Sequence, residues 1–461
     1  MKEVQSFDLF DTLLGRLHYY PKSTFELVEE FYPFLGFKFF RMLAEYKSNK
    51  TFRDIYDQFR QLTGITEADA LALMQFEYSI ELSHIFPIIE NLNLVKKGDL
   101  IVSDTYYDED QIRGILEKIG LKETVHVYAT PNGKSEGFIW DEIQKDFKVI
   151  SHLGDSLHSD VNMAQSSGIN GVHYTDSQLS SHEQTVLEMG QLDLAFLMRA
   201  LRLQNPFAPN SPEYLIWNEQ CQFNIPLLIQ ACIHLDQFCQ KKKKHRILFT
   251  TRDSCLWVQL FRALYPHYQS IDFHTSRHTY RFPSPSFIEY VKGVCTGDEV
   301  IVDVHGSGCN FQMFFNQYFN KDFIYLTIIS CGSVSALNKN FFLNLSHDCQ
   351  KIEMLNYDLI GTLYDIRNGI PLRAEPEYDL SYVRPNHLCI AKCIELLPSF
   401  VLNAPNLQII DWAIKMMDLG LTLEKYVSAT DFHFHFFTGE KVTHVHVLEG
   451  ENVFSSESIL D

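Results

Sequence analysis

The sequence predicts an α/β protein whose first domain contains a doubly wound parallel sheet. Four runs, DLIVSDTYY, TVHVYAT, FKVISHLGD and GINGVHY, have the apolar, turn-bounded pattern of buried strands. Helical patterns such as EDQIRGILEKIG and HSDVNMAQSSG lie between them. Because strands that alternate with helices form parallel sheets covered by helices on both faces, this alternation determines the fold class.

The composition and charge exclude several classes of protein. Of the 461 residues, 46% are hydrophobic and 21% are charged, which excludes a disordered or collagen-like chain. The formal net charge of −19 makes a nucleic-acid partner unexpected. No uncharged apolar run approaches the roughly 20 residues of a membrane span, and no signal peptide is visible at MKEVQSFDLFD. We therefore expect a cytoplasmic protein without a membrane span; export by a route that needs no signal peptide stays open.

Three regions are predicted along the chain. Residues 1–195 form the first α/β domain, and residues 16–90 have helical periodicity and are expected to be an insertion in it. After the turn-rich segment NPFAPNSP, the strand and helix patterns resume and predict a second parallel α/β domain over 205–345. Residues 346–461 are expected to be mostly helical and to end in a β-hairpin. All ten cysteines follow residue 220 and none forms a CxxC pair, which favours reduced, buried thiols.

Polar side chains follow the predicted strands of the first domain. The set comprises Asp8, Asp11 and Thr12 after the first strand, Ser103 and Asp104 after the second, Lys134 in a loop, and Asp155 and Asp160 after FKVISHLG. The carboxyl ends of the strands in an open α/β sheet meet at one crevice, so we expect these side chains to converge. Carboxylates suit Mg²⁺, while hydroxyls and a lysine suit a phosphate, which predicts a metal-dependent site with an aspartate nucleophile.

The order and spacing of these residues resemble the haloacid dehalogenase-like (HAD) superfamily. Its four motifs are similar to FDLFDTLL, VSD, GK and GDSLHSD, and the resemblance covers roughly residues 1–175. The helical insertion follows the first motif, where that family carries its cap domain. The resemblance implies a Rossmann-like core, a helical cap and a Mg²⁺ cofactor.

The resemblance also implies a role for each motif residue. Asp8 would be the nucleophile and a Mg²⁺ ligand, with Asp155 as a second ligand and Phe10 contributing only its backbone carbonyl. Asp160 would support the metal or the lysine. Thr12 and Ser103 would hold the transferring group, and Lys134 would neutralise its charge and that of Asp8. Asp104, next to Ser103, is a further candidate substrate-binding residue.

The first motif departs from the family's phosphatases at Phe10. Those enzymes carry there an aspartate that protonates the leaving group and then activates water. Asp11 lies one residue further on, and because side chains alternate across a strand it does not share a face with Asp8. General acid–base catalysis contributes about 10²–10⁴ in rate, so hydrolysis of ordinary phosphomonoesters is expected to be impaired or absent.

Three alternatives follow for the acid that is missing at Phe10. In the first alternative, the leaving group needs no acid, as in carbon–halogen cleavage. This alternative is the least favoured, because the family's dehalogenases work without Mg²⁺ whereas Asp155 and Asp160 here suit a Mg²⁺ site. A second alternative is that Asp11, Asp104 or a residue of the cap supplies the proton. The third is a site that binds without turnover.

The segments FDLFDTLL, SDTYY and RDS together resemble a bacterial subgroup of the family. It consists of predicted HAD hydrolases linked to surface-polysaccharide glycosyltransferases, and its members share a helix similar to QFNIPLL before a strand that ends in Arg-Asp.

Two strand ends stand out in the second domain, Thr250–Ser254 and Asp303–Gly308. Small residues between a strand and a helix let backbone amides face an anion, so a phosphate or sugar nucleotide is one hypothesis, and a turn that needs glycine for its geometry is the other. Arg252, Asp253 and Arg277 are the candidate binding residues.

The segment 432–447 predicts a β-hairpin with Gly439 and Glu440 in its turn. This register pairs His435 with His444 and His433 with His446 on one face. The face is either the polar side of an edge hairpin or a site for a transition metal such as Zn, Cu or Ni.

The leading functional hypothesis is a Mg²⁺-dependent, HAD-type phosphohydrolase or phosphotransferase. Its substrate would be a phosphorylated metabolite, either a sugar phosphate or a nucleotide, attacked by Asp8. The alternative is a catalytically reduced HAD module that binds a phosphorylated ligand or a partner protein.

Overall fold

The computed structural model describes the chain in two units. It describes all residues except 1, 19, 21, 33–35, 49, 252, 307, 320–322, 332–339, 346–350, 377, 427–444, 450–451 and 457–461. The first unit is formed by residues 1–185 and 195–206, and the second by residues 186–194 and 207–461. Each unit contains a five-stranded parallel sheet with helices, which confirms the predicted α/β class. The predicted third region therefore falls within the second unit.

The first unit contains seven described strands. They are β1 (Lys2–Phe7), β2 (Leu14–Arg16), β3 (Ile85–Pro87), β4 (Leu100–Asp104), β5 (His126–Thr130), β6 (Phe147–Gly154) and β7 (Asn170–His173). The main sheet has the order β5-β4-β1-β6-β7, and all of its pairs are parallel. Counted along the chain, this is the order 3-2-1-4-5 of doubly wound sheets, whose ligands bind where the order reverses. That reversal lies between β1 and β6.

Helices cover the first sheet and form the insertion. They are α1 (Ser23–Phe31), α2 (Phe37–Ser48), α3 (Phe52–Thr63), α4 (Glu67–Ser83), α5 (Ile89–Leu92), α6 (Glu109–Lys118), α7 (Phe138–Ile143), α8 (Met163–Ser166), α9 (Ser181–Glu188) and α10 (Leu192–Leu203), with a π-helical turn at Leu157–Asn162. The chain passes between the units within α9, within α10 and again after residue 206.

The helical insertion, α1–α4, is closed by a short antiparallel pair that the sequence did not predict. Strands β2 and β3 pair in the register Leu14↔Pro87 to Arg16↔Ile85. Each of these strands has only three residues, which are too few to show a periodic pattern. Helix α3 begins at a capping box between Thr51 and Asp54, as its sequence favours.

A buried ion pair lies inside the insertion. The Nε and Nη2 atoms of Arg41 donate to the two carboxylate oxygens of Glu77 at 2.8 and 2.9 Å, and both side chains are 0% exposed. The hydroxyl of Tyr56 donates to the same carboxylate at 2.6 Å. The Arg41 guanidinium also lies over the rings of Phe25 and Tyr106. This pair fixes α2 against α3 and α4.

The second unit repeats the parallel architecture with a different strand order. Its parallel strands are β8 (Arg246–Thr250), β9 (Gln269–Phe273), β10 (Val300–His305), β11 (Ile324–Cys331) and β12 (Phe341–Leu345). Their order is β12-β11-β10-β8-β9, and all of the pairs are parallel. Counted along the chain, this is the order 2-1-3-4-5, whose reversal lies between β8 and β10.

The helices of the second unit include those predicted from the sequence. They are α11 (Pro212–Glu219), α12 (Ile225–Lys242), α13 (Cys255–Leu264), α14 (Arg277–Arg281), α15 (Pro285–Val294), α16 (Cys309–Tyr318), α17 (Lys351–Leu355), α18 (Arg384–Leu396) and α19 (Leu407–Asp418), with a π-helical turn at Gln220–Asn224 and 3₁₀ turns at Leu397–Ser399 and Thr422–Lys425. No helix in the described part of the chain is both long enough and apolar enough to span a membrane.

The end of the chain contains an antiparallel sheet. Its strands are β13 (Leu363–Arg367), β14 (Ile370–Ala374), β15 (Val445–Glu449) and β16 (Asn452–Ser456). His446 pairs with Ser455 in β16. His433, His435 and His444 lie outside the described residues, so the hairpin at 432–447 and its metal site stay predictions.

We predict that Arg41→Met destabilises the first unit by about 3–5 kcal/mol, because it leaves the Glu77 carboxylate buried without its cation. Urea unfolding of the full chain measures the loss. The matched control is Arg113→Met, which breaks an exposed pair with Glu109 and should cost only about 0.3–0.5 kcal/mol. Equal losses for both variants would contradict the role of the buried pair.

Candidate functional site

A cavity of about 830 Å³ opens at the carboxyl edge of the first sheet. Asp8, Lys134, Asp155 and Asp160 lie in its wall. The pairing of the strands explains why: Phe7 pairs with Leu153, and the amide of Asp8 donates to the Leu153 carbonyl at 2.8 Å. Residues that follow β1 and β6 are therefore neighbours at the point where the strand order reverses.

Lys134 connects the carboxylates that follow these two strands. Its ammonium donates to Asp8 Oδ1 and to Asp160 Oδ1, the latter at 2.5 Å. All three side chains are buried. The Thr12 hydroxyl donates to the other oxygen of Asp8 at 3.4 Å. The structure thus brings together the residues of three predicted motifs.

Asp160 is held from several directions. Its Oδ2 accepts from the Ser156 amide at 2.8 Å, and His152 Nε2 lies 3.1 Å from its Oδ1. His152 Nδ1 lies 2.9 Å from the Ser6 hydroxyl. Gly154 is required beside it, because a Cβ there would lie 2.3 Å from Asp160 Cγ. Of the two predicted roles for Asp160, these contacts favour support of the lysine.

Burial and charge set the protonation of this cluster. Burial raises the pKa of Asp8 to about 8, and the neighbouring Asp160 and Asp155 add to the shift while Lys134 opposes it. Burial, together with the charges of Asp11 and Asp160, raises the pKa of Asp155 to about 6. Burial disfavours the charged form of Asp160 too, but the hydrogen bond to His152 and the charge of Lys134 outweigh it and lower its pKa.

The donor set of the cluster fits a divalent cation. Asp8, Asp155 and Asp160 offer carboxylate oxygens that lie within 4.8 Å of one another. When all three carboxyl groups of this described cluster are ionised, their negative charge exceeds the positive charge of Lys134 by two. Mg²⁺ prefers oxygen ligands and would neutralise this excess.

Asp104 binds the loop that carries Lys134. Its oxygens accept from the amides of Lys134 and Ser135 at 2.8 and 2.9 Å and from the Thr130 hydroxyl at 3.3 Å. The Thr130 hydroxyl accepts in turn from the Gly133 amide at 2.7 Å. Asp104 lines the cavity, as does Ser103. These contacts make Asp104 a positioning residue for the lysine, which the sequence had suggested as a substrate-binding residue or proton donor.

Phe10 and Asp11 lie in the cavity wall with partners of their own. The Arg16 guanidinium is 4.4 Å from the centroid of the Phe10 ring. Asp11 has a left-handed backbone with φ of 52°, and its Oδ1 accepts from Arg199 Nη2 at 3.0 Å. Arg199 is buried and also donates to the Arg16 carbonyl at 3.1 Å. The Asp11 carboxylate thus takes part in a structural contact.

The insertion contributes cavity residues that the sequence analysis missed. Lys22, Glu45, Tyr46 and Lys50 line the cavity. Charged and aromatic residues occur throughout the insertion, so no pattern distinguished these four.

The second unit also gathers polar groups where its strand order reverses. Burial raises the pKa of Asp303, at the end of β10, to about 7, and the charge of Asp253 adds to the shift. The Tyr325 hydroxyl donates to Asp303 at 2.9 Å. Arg277, another candidate, lies 3.8 Å from Glu353. Arg252 lies outside the described residues.

No known family model matches this chain, and no curated protein matches it either.

We predict that Asp104→Ala loosens the loop of Lys134 and lowers the free energy of unfolding by about 1.5–3 kcal/mol, because buried amides lose a charged acceptor. Urea unfolding measures the change, and amide hydrogen exchange at residues 132–135 should rise with it. Asp146→Ala, at an exposed aspartate of the same unit, is the control. Unchanged exchange at the loop would refute the positioning role.

Proposed function

We propose that the first unit is a Mg²⁺-dependent phosphohydrolase or phosphotransferase of the HAD type, with Asp8 as its nucleophile. The observation that carries the proposal is the contact of one buried lysine with Asp8 and Asp160 inside a cavity at the strand-order reversal. Asp155 completes a carboxylate set of the kind that binds Mg²⁺. A pocket of this size accommodates a sugar phosphate or a nucleotide.

In this mechanism a carboxylate oxygen of Asp8 attacks the phosphorus and the bond from phosphorus to the leaving oxygen breaks. When bound, the metal would neutralise charge on the phosphoryl oxygens. The charge of Lys134 favours the ionised form of Asp8 against the effect of burial, and a bound cation would act in the same direction. The Thr12 hydroxyl donates to the second oxygen of Asp8. Water then cleaves the acyl phosphate and returns the Asp8 carboxylate with inorganic phosphate, or a second hydroxyl accepts the group.

Whether the leaving group must be protonated decides which substrates can react at this site. Phe10 occupies the position of the usual acid, Asp11 is paired with Arg199, and Asp104 accepts from loop amides. Substrates whose leaving group is stable as an anion, such as acyl phosphates, need no such acid. We therefore place acyl phosphates beside sugar phosphates and nucleotides in the substrate panel.

The absence of an acid at Phe10 also favours the alternative, a module that binds a phosphorylated ligand without turnover. With both nearby aspartates engaged, the described cavity would retain a metal and phosphate site while lacking the acid for ordinary esters. The cytoplasmic location and the link to surface-polysaccharide synthesis expected from the sequence belong to both versions.

We expect Mg²⁺-dependent phosphate release from at least one member of this panel, abolished in Asp8→Asn because the amide is not a nucleophile. Release of inorganic phosphate by the full chain is the measurement. Glu3→Gln, which alters an exposed pair with Lys148 at the other end of β1, should retain the activity.

Two results would separate the proposal from its alternative. In one result, Mg²⁺ raises the free energy of unfolding of the folded chain, but no substrate releases phosphate. This result would favour the alternative, a module that binds without turnover. Loss of the Mg²⁺ effect in Asp155→Asn but not in Glu3→Gln would assign the ion to this site. A folded chain that shows no turnover and no Mg²⁺ binding would refute both versions.

Phe10→Asp should raise the release of phosphate from phosphomonoesters by about 10²–10⁴, since it supplies a general acid two residues after the nucleophile. The measurement is kcat/KM with a sugar phosphate, compared with Phe10→Asn, which has a similar size and no acid. If both variants behave alike, the missing acid is not what limits the native chain.

A further inference from the structure

We infer that the second unit contains a separate transition-metal site, suited to Zn²⁺, formed by Cys255, Asp358 and His387. The ligand atoms of these three side chains lie within 4.8 Å of one another. A thiol, an imidazole and a carboxylate together are the donors that proteins use for zinc. The inference does not depend on the proposed function, because the three residues belong to a different unit from Asp8.

Three separate elements bring the ligands together. Cys255 is the first residue of α13, directly after β8 and its loop, and His387 lies in the first turn of α18. Asp358 lies between α17 and β13. All three side chains are half-buried, so an ion would have access from solvent. The site adjoins the end of β8, at the strand-order reversal of this sheet.

The loop that carries Asp358 is fixed before any ion binds. The amides of Asn356 and Asn224 bond to each other reciprocally at 2.9 and 3.1 Å, and both side chains are 0% exposed. The Tyr357 ring stacks on Tyr378, whose hydroxyl donates to the Asp358 carbonyl at 2.8 Å. The Leu359 amide donates to Asp358 Oδ1 at 2.7 Å. A carboxylate held in this way loses little freedom when it binds a metal.

One nitrogen of the His387 imidazole is held by a backbone carbonyl. Its Nε2 lies 2.8 Å from the Tyr357 carbonyl, an oxygen that can only accept, so this nitrogen carries the proton. The lone pair of the neutral ring is therefore on Nδ1. A ligating histidine commonly donates its second N–H to a backbone carbonyl, which fixes both its tautomer and its orientation.

Metal binding would change the bonding of the Cys255 thiol. In the structure its thiol donates to the Asn356 carbonyl at 3.4 Å. Metal binding would replace this weak bond by a thiolate–metal bond of about 2.3 Å and release the thiol proton. Three protein ligands leave one tetrahedral position open for water or a substrate atom, as in catalytic rather than structural zinc sites.

The donor chemistry separates this site from the cluster of the first unit. That cluster offers only carboxylate oxygens, which favour a hard ion such as Mg²⁺, whereas a thiolate selects softer ions. One chain would thus hold two ions of different hardness.

The test is a Co²⁺ titration of the reduced full chain with Mg²⁺ present in excess, followed by competition with Zn²⁺. We expect one equivalent of Co²⁺ to give a thiolate-to-cobalt charge-transfer band, which carboxylate or histidine sites elsewhere in the chain cannot give. Zn²⁺ should abolish the band. Absence of the band in the wild-type chain would overturn the inference.

Variants assign the site to its residues. Cys255→Ser should remove the band, whereas Cys309→Ser should keep it; Cys309 is the matched control because it also begins a helix, α16, directly after a strand of the same sheet. His387→Gln and Asp358→Asn should weaken Zn²⁺ binding by more than the roughly 10–100-fold that loss of an outer partner costs. Far-ultraviolet circular dichroism checks folding. If Cys255→Ser does not fold, His387→Gln decides, since wild-type affinity in that variant would place the metal elsewhere.

Discussion

Charge compensation around one buried lysine is the constraint on which the first unit depends. Three carboxylates converge where the strand order reverses, and water is largely excluded from two of them. Such a cluster is stable only with nearby positive charge, because an isolated buried carboxylate is costly. Lys134 supplies part of that charge, and Asp104 holds the loop that places it. The need for further positive charge is what makes the donor set of this cluster fit a cation.

Topology explains why both units gather polar groups at comparable places. In each parallel sheet the connections leave the central strand in opposite directions, which opens a crevice at the carboxyl ends. The first sheet fills this crevice with Asp8, Asp155 and Lys134. The second places Asp253 and Asp303 there, with Cys255 at the start of the following helix. The two units therefore share a geometric principle and differ in the chemistry of their side chains.

The sequence predicted the parallel sheet of the first unit and the convergence of its motif residues, because strand periodicity and the rule for strand ends are local signals. It did not predict β9, β12, β13 or β14 in the second unit. It did not predict the roles of Asp11 and Asp104, which depend on Arg199 and on the loop amides, partners distant in the chain. The cluster of Cys255, Asp358 and His387 spans 132 residues between its first and last ligands and leaves no short spacing to recognise. The three-residue strands β2 and β3 were missed because they are shorter than one period of any useful pattern.

The left-handed backbone at Asp11 has a consequence for how related sequences should be compared. Aspartate, asparagine and glycine adopt this conformation more readily than other residues, since a branched or bulky side chain is strained there. An aspartate at this position is thus favoured by the backbone conformation and by its arginine partner, Arg199. Invariance of this column in an alignment would record a conformational requirement, and a search for proton donors that ranks positions by invariance would assign it a chemical role it does not need.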